Sequence, residues 1–392
     1  MDVLEHIGLQ EPEVLLDYPV ATEGPAWAER AGRATGPTVL FDLGHPADVH
    51  LFKNLIWSLQ ARGFRVVLAA RPRDNMAQLL QRYGFAYHDL GHFDTVLEKA
   101  LGFVKISLRL WRLCRQIQPR VLISFGSPYA HQVAFWSRCP TVSLVDTEPR
   151  AGSLFFWQYR VLFQPFVRKI FVPSGFQYTL HVPRVVRFKG TKELAYLAPA
   201  YFQANPEVLY GLNLDGEKPV VLVKFSASDA IHDVGYQAFR DDAQRVSFVR
   251  RLESWGAQVV VSSERPIPAL AGKTLQLPPG DIHHLLAFCD LYLGEGATMA
   301  AEAGVLGVPW IFLYSHTLGY LKEQSEVYGL GWHVTSVRQA LDRARAVLKM
   351  PDRRCLWRQK RARYLSEAQD LNQLMLQEVY ALLGRREEAL NA

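Results

Sequence analysis

The chain has 392 residues, 49% hydrophobic and 21% charged, with a formal net charge of +6. That length exceeds what one hydrophobic core organises, so two domains are expected, and the composition excludes disordered and fibrous classes. The charge is uneven: residues 1–36 sum to −5, residues 37–205 to +12 and residues 206–392 to −1, which points to an anionic partner for the middle segment.

Residues 1–36 carry Glu-Pro and Gly-Pro steps and are expected to form an acidic, poorly ordered extension, with no signal-peptide pattern. Thr38-Val-Leu-Phe-Asp-Leu reads as a strand buried on both faces. A helix is predicted from Val49 to Arg62, closed by Gly63, followed by a strand over Phe64–Ala70. A helix over Asp74–Tyr83 and a short strand over Ala86–Leu90 come next. The helix predicted over Leu97–Gln118 stops before Pro119. A strand at Val121–Phe125, a helix at Pro128–Arg138 and strands at Thr141–Val145 and Ile170–Val172 complete the first series.

A second series begins after Pro219. Strands are predicted at Val220–Phe225, Gln258–Ser262, Leu291–Leu293 and Trp310–Leu313, with helices at Asp241–Trp255, Ile282–Phe288 and Thr298–Val305. The alternation predicts an α/β fold with two Rossmann-like domains, their parallel sheets facing a cleft. The expected divisions are a domain at 37–190, a connection at 191–216, a domain at 217–350 and C-terminal helices at 351–392, candidates to cross back to the first domain. In open α/β sheets ligands sit outside the carboxyl ends of the strands, so the loops there are the ones to read.

The sharpest is Gly294-Glu295-Gly296-Ala297-Thr298-Met299, where a strand enters a glycine turn and a helix begins. Small residues let backbone N–H groups approach a phosphate, and the helix N-terminus adds partial positive charge. Glu302 lies four residues after Thr298, on the same face, and suits a ribose; the alternative is a tight turn with a solvated Glu302. Gly44-His45-Pro46-Ala47-Asp48-Val49-His50 closes the first strand with two histidines and an aspartate. Asp48 suits a helix cap, while His45 in the turn suits a base or an anion donor. Asp146-Thr147-Glu148 places two carboxylates at another strand end, either paired with neighbours or able to take a proton. Ser226, His232 and Asp233 open the second domain, and Glu264 and His283 are weaker binding candidates. There is no DxD, HExxH, GxSxG or GxGxxG pattern, so no metal or resident cofactor is expected. The four cysteines, Cys114, Cys139, Cys289 and Cys355, form no CxxC and suit a reducing compartment.

Residues 99–120 hold Lys99, Lys105, Arg109, Arg112, Arg115 and Arg120 among apolar side chains, and residues 153–172 repeat the theme with Phe155, Phe156, Trp157, Arg160 and Arg168. Such surfaces suit an anionic bilayer, the alternative being an apolar core side with an ordinary basic surface. No nucleic-acid module is present, so nucleic acid is not an expected partner.

Five stretches together carry a resemblance: Phe41-Asp-Leu-Gly-His-Pro-Ala-Asp-Val-His-Leu-Phe-Lys-Asn, Asp146-Thr-Glu, Lys192-Glu-Leu-Ala-Tyr-Leu-Ala-Pro, His232-Asp-Val-Gly and Gly294-Glu-Gly-Ala-Thr-Met-Ala-Ala-Glu-Ala. Over roughly residues 38–340 the chain resembles the domain-of-unknown-function family 354, related to GT-B glycosyltransferases and UDP-GlcNAc 2-epimerases. The resemblance implies the two-domain GT-B fold. It implies that Gly296–Thr298 hold a diphosphate and Glu302 a ribose, with Glu295 a departure from the epimerase pattern. The epimerases carry a catalytic acid in a Gly-Asp-Thr turn, whereas the comparable turn here is Gly126-Ser127-Pro128, which favours transfer over epimerisation.

The expectation is therefore a metal-independent glycosyltransferase using a nucleotide-diphosphate sugar, UDP-linked, with a glycan or lipid-linked acceptor. The cytoplasm, or the inner membrane face with peripheral contact, is the expected location. His45, Asp48, Asp146 or Glu148 would be the base, and Gly44, His50, Ser226, His232, Asp233, Glu264, His283 and the 294–302 turn would bind substrate. The alternatives are a UDP-GlcNAc 2-epimerase-like enzyme or a non-catalytic sugar-nucleotide or glycan-binding protein.

Overall fold

The computed structural model describes residues 36–73, 75–91, 96–148, 156–157, 159–212, 214–226 and 238–384. The predicted acidic extension lies outside the described residues, except for Gly36. The described chain divides into two compact units, residues 36–196 with 369–384, and residues 197–368.

The N-terminal unit runs β1 (Thr38–Leu43), α1 (Pro46–Ala61), β2 (Arg65–Ala70), α2 (Met76–Arg82), β3 (His88–Asp89), α3 (Val96–Ile117), β4 (Val121–Phe125), α4 (Pro128–Ser137), β5 (Thr141–Leu144), β6 (Lys169–Pro173) and β7 (Arg184–Phe188). Its seven strands are parallel in the order β3-β2-β1-β4-β5-β6-β7. Central β1 and β4 are apolar runs with Val39, Leu40, Phe41, Val121, Leu122 and Ile123 fully buried, as strands covered on both faces must be. Edge strand β7 instead reads Arg-Val-Val-Arg-Phe, which is why no continuous apolar run announces it. Helix α1 starts at Pro46, three residues before the predicted Val49, because proline's fixed φ and missing N–H suit the first helical position.

The C-terminal unit runs β8 (Val220–Phe225), α5 (Asp242–Glu253), β9 (Gln258–Ser263), α6 (Ile282–Phe288), β10 (Leu291–Gly294), α7 (Ala297–Leu306), β11 (Trp310–Leu313), α8 (Gly319–Glu326), β12 (Gly331–Val334), α9 (Val337–Leu348) and α10 (Arg353–Glu367). Its five strands are parallel in the order β12-β11-β10-β8-β9. Helix α10 is tied to the sheet through buried Asp290, which accepts from Arg353 Nε at 2.9 Å, Arg354 Nε at 2.8 Å and the Val220 amide at 2.9 Å. The last helix, α11 (Leu371–Leu382), belongs to the N-terminal unit. There Tyr380 packs edge-on against Phe64 at 5.6 Å, Asn372 donates to the Ala195 carbonyl at 2.8 Å, and Glu378 pairs with Lys169.

Strand order reverses once in each sheet, between β1 and β4 and between β8 and β10. At such points the two flanking connections leave on opposite faces, and a crevice opens above the strand ends.

Candidate functional site

In the C-terminal unit the reversal brings the end of β8 against the end of β10, with Gly294 opposite Lys224. A Cβ on Gly294 would lie 2.6 Å from the Lys224 carbonyl oxygen, so only glycine lets these backbones pair. A Cβ on Gly296 would meet the Tyr292 hydroxyl at 3.1 Å, and that hydroxyl donates to the Gly296 carbonyl at 3.0 Å. Gly296 is the N-cap of α7 and brings no side chain of its own to cap the helix. The turn therefore leaves the N-terminal dipole of a ten-residue helix for a ligand, beside half-buried Thr298 and Met299.

Glu295, the departure from the epimerase pattern, accepts from the Ser226 amide at 3.0 Å. That bond turns one carboxylate oxygen toward the end of β8 and ties the two strand-end loops together. Glu302 is buried on α7, with its Oε1 2.9 Å from His283 Nε2. Glu302 is thus not solvated, and His283 orients it. Glu264, after β9, pairs with Lys224 at 3.0 Å. The structure thus gathers Ser226, Glu264, His283, Gly294, Glu295, Gly296, Thr298, Met299 and Glu302 around one strand-end region. His232 and Asp233 lie outside the described residues.

In the N-terminal unit the ends of β1 and β4 border a pocket of about 360 Å³, lined by Gly44, His45, Asp48, Arg71, Arg73, Ser127 and Tyr129, with Gly102 and Ile106 from α3. His45, not Asp48, is the N-cap of α1: its Nδ1 accepts from the Ala47 amide at 3.1 Å. Asp48 closes a reciprocal box from the third helical position, its Oδ2 accepting from the Gly44 amide at 2.8 Å and the His45 amide at 3.0 Å. Burial nevertheless pushes the Asp48 carboxyl up to about 6, against the lowering effect of those two bonds and of Arg71. With Nδ1 accepting, neutral His45 carries its proton on Nε2, where it is a donor; this geometry opposes the expected role as base at that nitrogen.

In the pocket wall Arg71 and Ser127 meet buried Asp42, a triad that the sequence did not reveal. Asp42 on β1 accepts from Arg71 Nη1 at 2.5 Å and from the Ser127 hydroxyl, and the Arg71 guanidinium lies 5.0 Å from the Tyr129 ring. The Gly126-Ser127 turn thus receives from β1 the carboxylate that its own sequence lacks.

The remaining candidates are engaged elsewhere. His50 is buried on α1, hydrogen-bonded to the Tyr83 hydroxyl at 3.1 Å and stacked on Tyr196 at 5.6 Å, a packing position rather than a substrate contact. Asp146 is buried, with its Oδ2 2.5 Å from Lys192 Nζ, which also pairs with Glu193 at 2.8 Å. Its carboxylate is thus held by a buried ammonium within the fold. Glu148 accepts from the Gln177 amide at 2.6 Å and so anchors the loop after β6.

Residues 38–384 match the family described as Protein of unknown function (DUF354). An uncharacterized protein of Methanocaldococcus jannaschii, MJ0665, is 23% identical over 301 residues, 71% of this chain and 82% of that one. Among solved structures, the UDP-GlcNAc 2-epimerase from Neisseria meningitidis, bound to UDP-GlcNAc, is similar with a TM-score of 0.66 at 12% identity, covering 88% of this chain and all (100%) of that one. The glycosyltransferase SsfS6 of Streptomyces sp. SF2575 is similar with a TM-score of 0.57 at 14% identity, covering 87% and 99%. The fold is thus that of GT-B glycosyltransferases and UDP-GlcNAc 2-epimerases.

Proposed function

The chain belongs to the DUF354 family, and on that premise we propose that it is a glycosyltransferase moving a sugar from a nucleotide diphosphate, UDP-linked, to a hydroxyl of a glycan or lipid-linked acceptor. One observation carries the reading: the glycine turn of β10 opens onto a helix N-terminus whose cap residue, Gly296, has no side chain, at the point of strand-order reversal. The amides of Ala297–Met299 would hold the diphosphate and take up charge as it leaves. Glu302, oriented by His283, would accept from the ribose hydroxyls.

The N-terminal unit would activate the acceptor. Asp48 uses Oδ2 for its caps, which leaves Oδ1 as the proton acceptor. With a pKa near 6, it is ionised at neutral pH and still basic enough to take a proton as the nucleophile forms. The acceptor oxygen would lose its proton to Asp48 and bond to the anomeric carbon. The bond from that carbon to the diphosphate oxygen would break, its electron pair leaving with the nucleotide. His45 Nε2–H and Arg73 would steady an anionic acceptor at the pocket rim.

A 2-epimerase reading keeps one observation in its favour, the Asp42 carboxylate beside Ser127. Thermal melting of the full chain with a panel of nucleotide sugars tests both readings, since a ligand of the native state raises Tm. The donor-binding expectation is a Tm rise with UDP-sugars that shrinks in Glu302→Gln. Nucleotide release that requires an acceptor supports transfer. Conversion of UDP-GlcNAc to its 2-epimer without acceptor supports the alternative, and Tm shifts without turnover support a binding protein. No shift with any nucleotide sugar overturns the donor site.

A further inference from the structure

Helix α3 is apolar on two sides, and the described residues cover only one of them. Ile106, Leu110, Leu113 and Cys114 are buried with Ala130, Val133 and Ala134 of α4. Val104, Leu108 and Trp111 are 56%, 45% and 37% exposed. They recur at i, i+4 and i+7 and so form one outward stripe. Lys105, Arg109 and Arg112 are exposed one position further on, a basic stripe beside the apolar one. Arg115 extends it, with its guanidinium 5.1 Å from the Trp111 ring.

The neighbouring elements repeat this chemistry. Trp136 at the end of α4 is 70% exposed, Val161 in the turn Tyr159–Phe163 is 57% exposed, and Arg168 sits over the Phe135 ring at 5.5 Å. No Asp or Glu occurs between Glu98 and Asp146. A face that mixes bulky apolar and cationic side chains, built from a stretch without Asp or Glu, is poorly matched to water and well matched to an anionic partner.

We propose that the outer face of α3, extended by the end of α4, docks the protein on an anionic phospholipid bilayer. Tryptophan, leucine and valine suit the boundary between headgroups and acyl chains, and the adjacent Arg and Lys side chains suit lipid phosphates. Among the described residues no helix is long and apolar enough to cross a membrane, so the contact is peripheral. The docking claim stands without the transferase reading. Only its corollary rests on that reading: α3 lends Gly102 and Ile106 to the 360 Å³ pocket, so a lipid-borne acceptor would reach it along the docking helix.

The test is sedimentation of the full chain with vesicles of phosphatidylcholine alone or with phosphatidylglycerol, without nucleotide sugar. The expected result is binding to the anionic vesicles at low salt, release at high salt and little binding to neutral ones. The double variant Leu108→Glu, Trp111→Glu should lose about tenfold or more in vesicle affinity with an unchanged melt, since both side chains are exposed. Leu356→Glu, on the other unit, should bind as the parent does. Absence of binding to anionic vesicles at low salt overturns the proposal, as does equal binding by the double variant. A parental dimer that the double variant abolishes, without vesicle binding, would assign the face to a second copy instead. Failure here leaves the nucleotide-sugar melting experiment untouched.

Discussion

Asp48 accepts two backbone amides through one oxygen and still titrates near 6, because the desolvation of its buried carboxylate outweighs those bonds. The raised value has a definite sign. As pH rises from about 4, the unfolded chain releases this proton first, so the native state loses stability up to about pH 6, by on the order of 3 kcal/mol. Asp48→Asn removes the ionisation and keeps a capping oxygen. Urea unfolding should show the variant gaining on the parent between pH 4 and 7, and superimposable pH profiles would contradict the assignment. If Asp48 is the base, kcat/KM of the parent should rise through the same interval. In the sequence Asp48 suited a helix cap and His45 a base or an anion donor, and Pro46 at the first helical position is the signal that makes His45 the cap instead. Asp42, Arg71 and Ser127 carried no such signal. They lie on or just beyond separate strands, and only the pairing of β1 with β2 and β4 gathers them.

Among the elements, β10 shows how a turn constrains its neighbours. Gly294 pairs with Lys224 so closely that a methyl group cannot enter without parting β8 from β10. Gly294→Ala should cost about 1–3 kcal/mol and reduce the thermal shift given by a nucleotide sugar. Gly272→Ala, where no atom lies within 4 Å of the added methyl, should leave both near parental values. The glycine turn and the helix after it were legible because strand, glycine and helix pattern coincide over a dozen residues. The edge strands β7 and β12 and the helices α8 and α9 were not read. The edge strands mix polar and apolar residues as strands with one paired side do, and their identity as strands comes from β6 and β11 beside them.

At the scale of the whole molecule, the chain leaves the N-terminal unit near residue 196 and returns to it at residue 369. Helix α11 then covers Phe64 and pairs with Lys169, so the last described helix stabilises the first half of the chain. Ending the chain at Ala368 should lower the melting of the N-terminal unit, because Leu371, Met375, Leu376 and Val379, all nearly fully buried, would be lost from its packing. Calorimetry should show that loss as a lower-temperature transition, and an unchanged profile would exclude α11 from the core. By itself the sequence determined the alternation of strands and helices, the parallel sheets, the glycine turn that opens a helix and the basic bias of the first half. These are local or compositional properties, set by hydrophobic period and backbone preference. The tertiary structure decided which strand ends are neighbours, and therefore which polar groups share a pocket. Asp42 and Ser127 are 85 residues apart, and no local preference brings them together; only the packing of β1 beside β4 does.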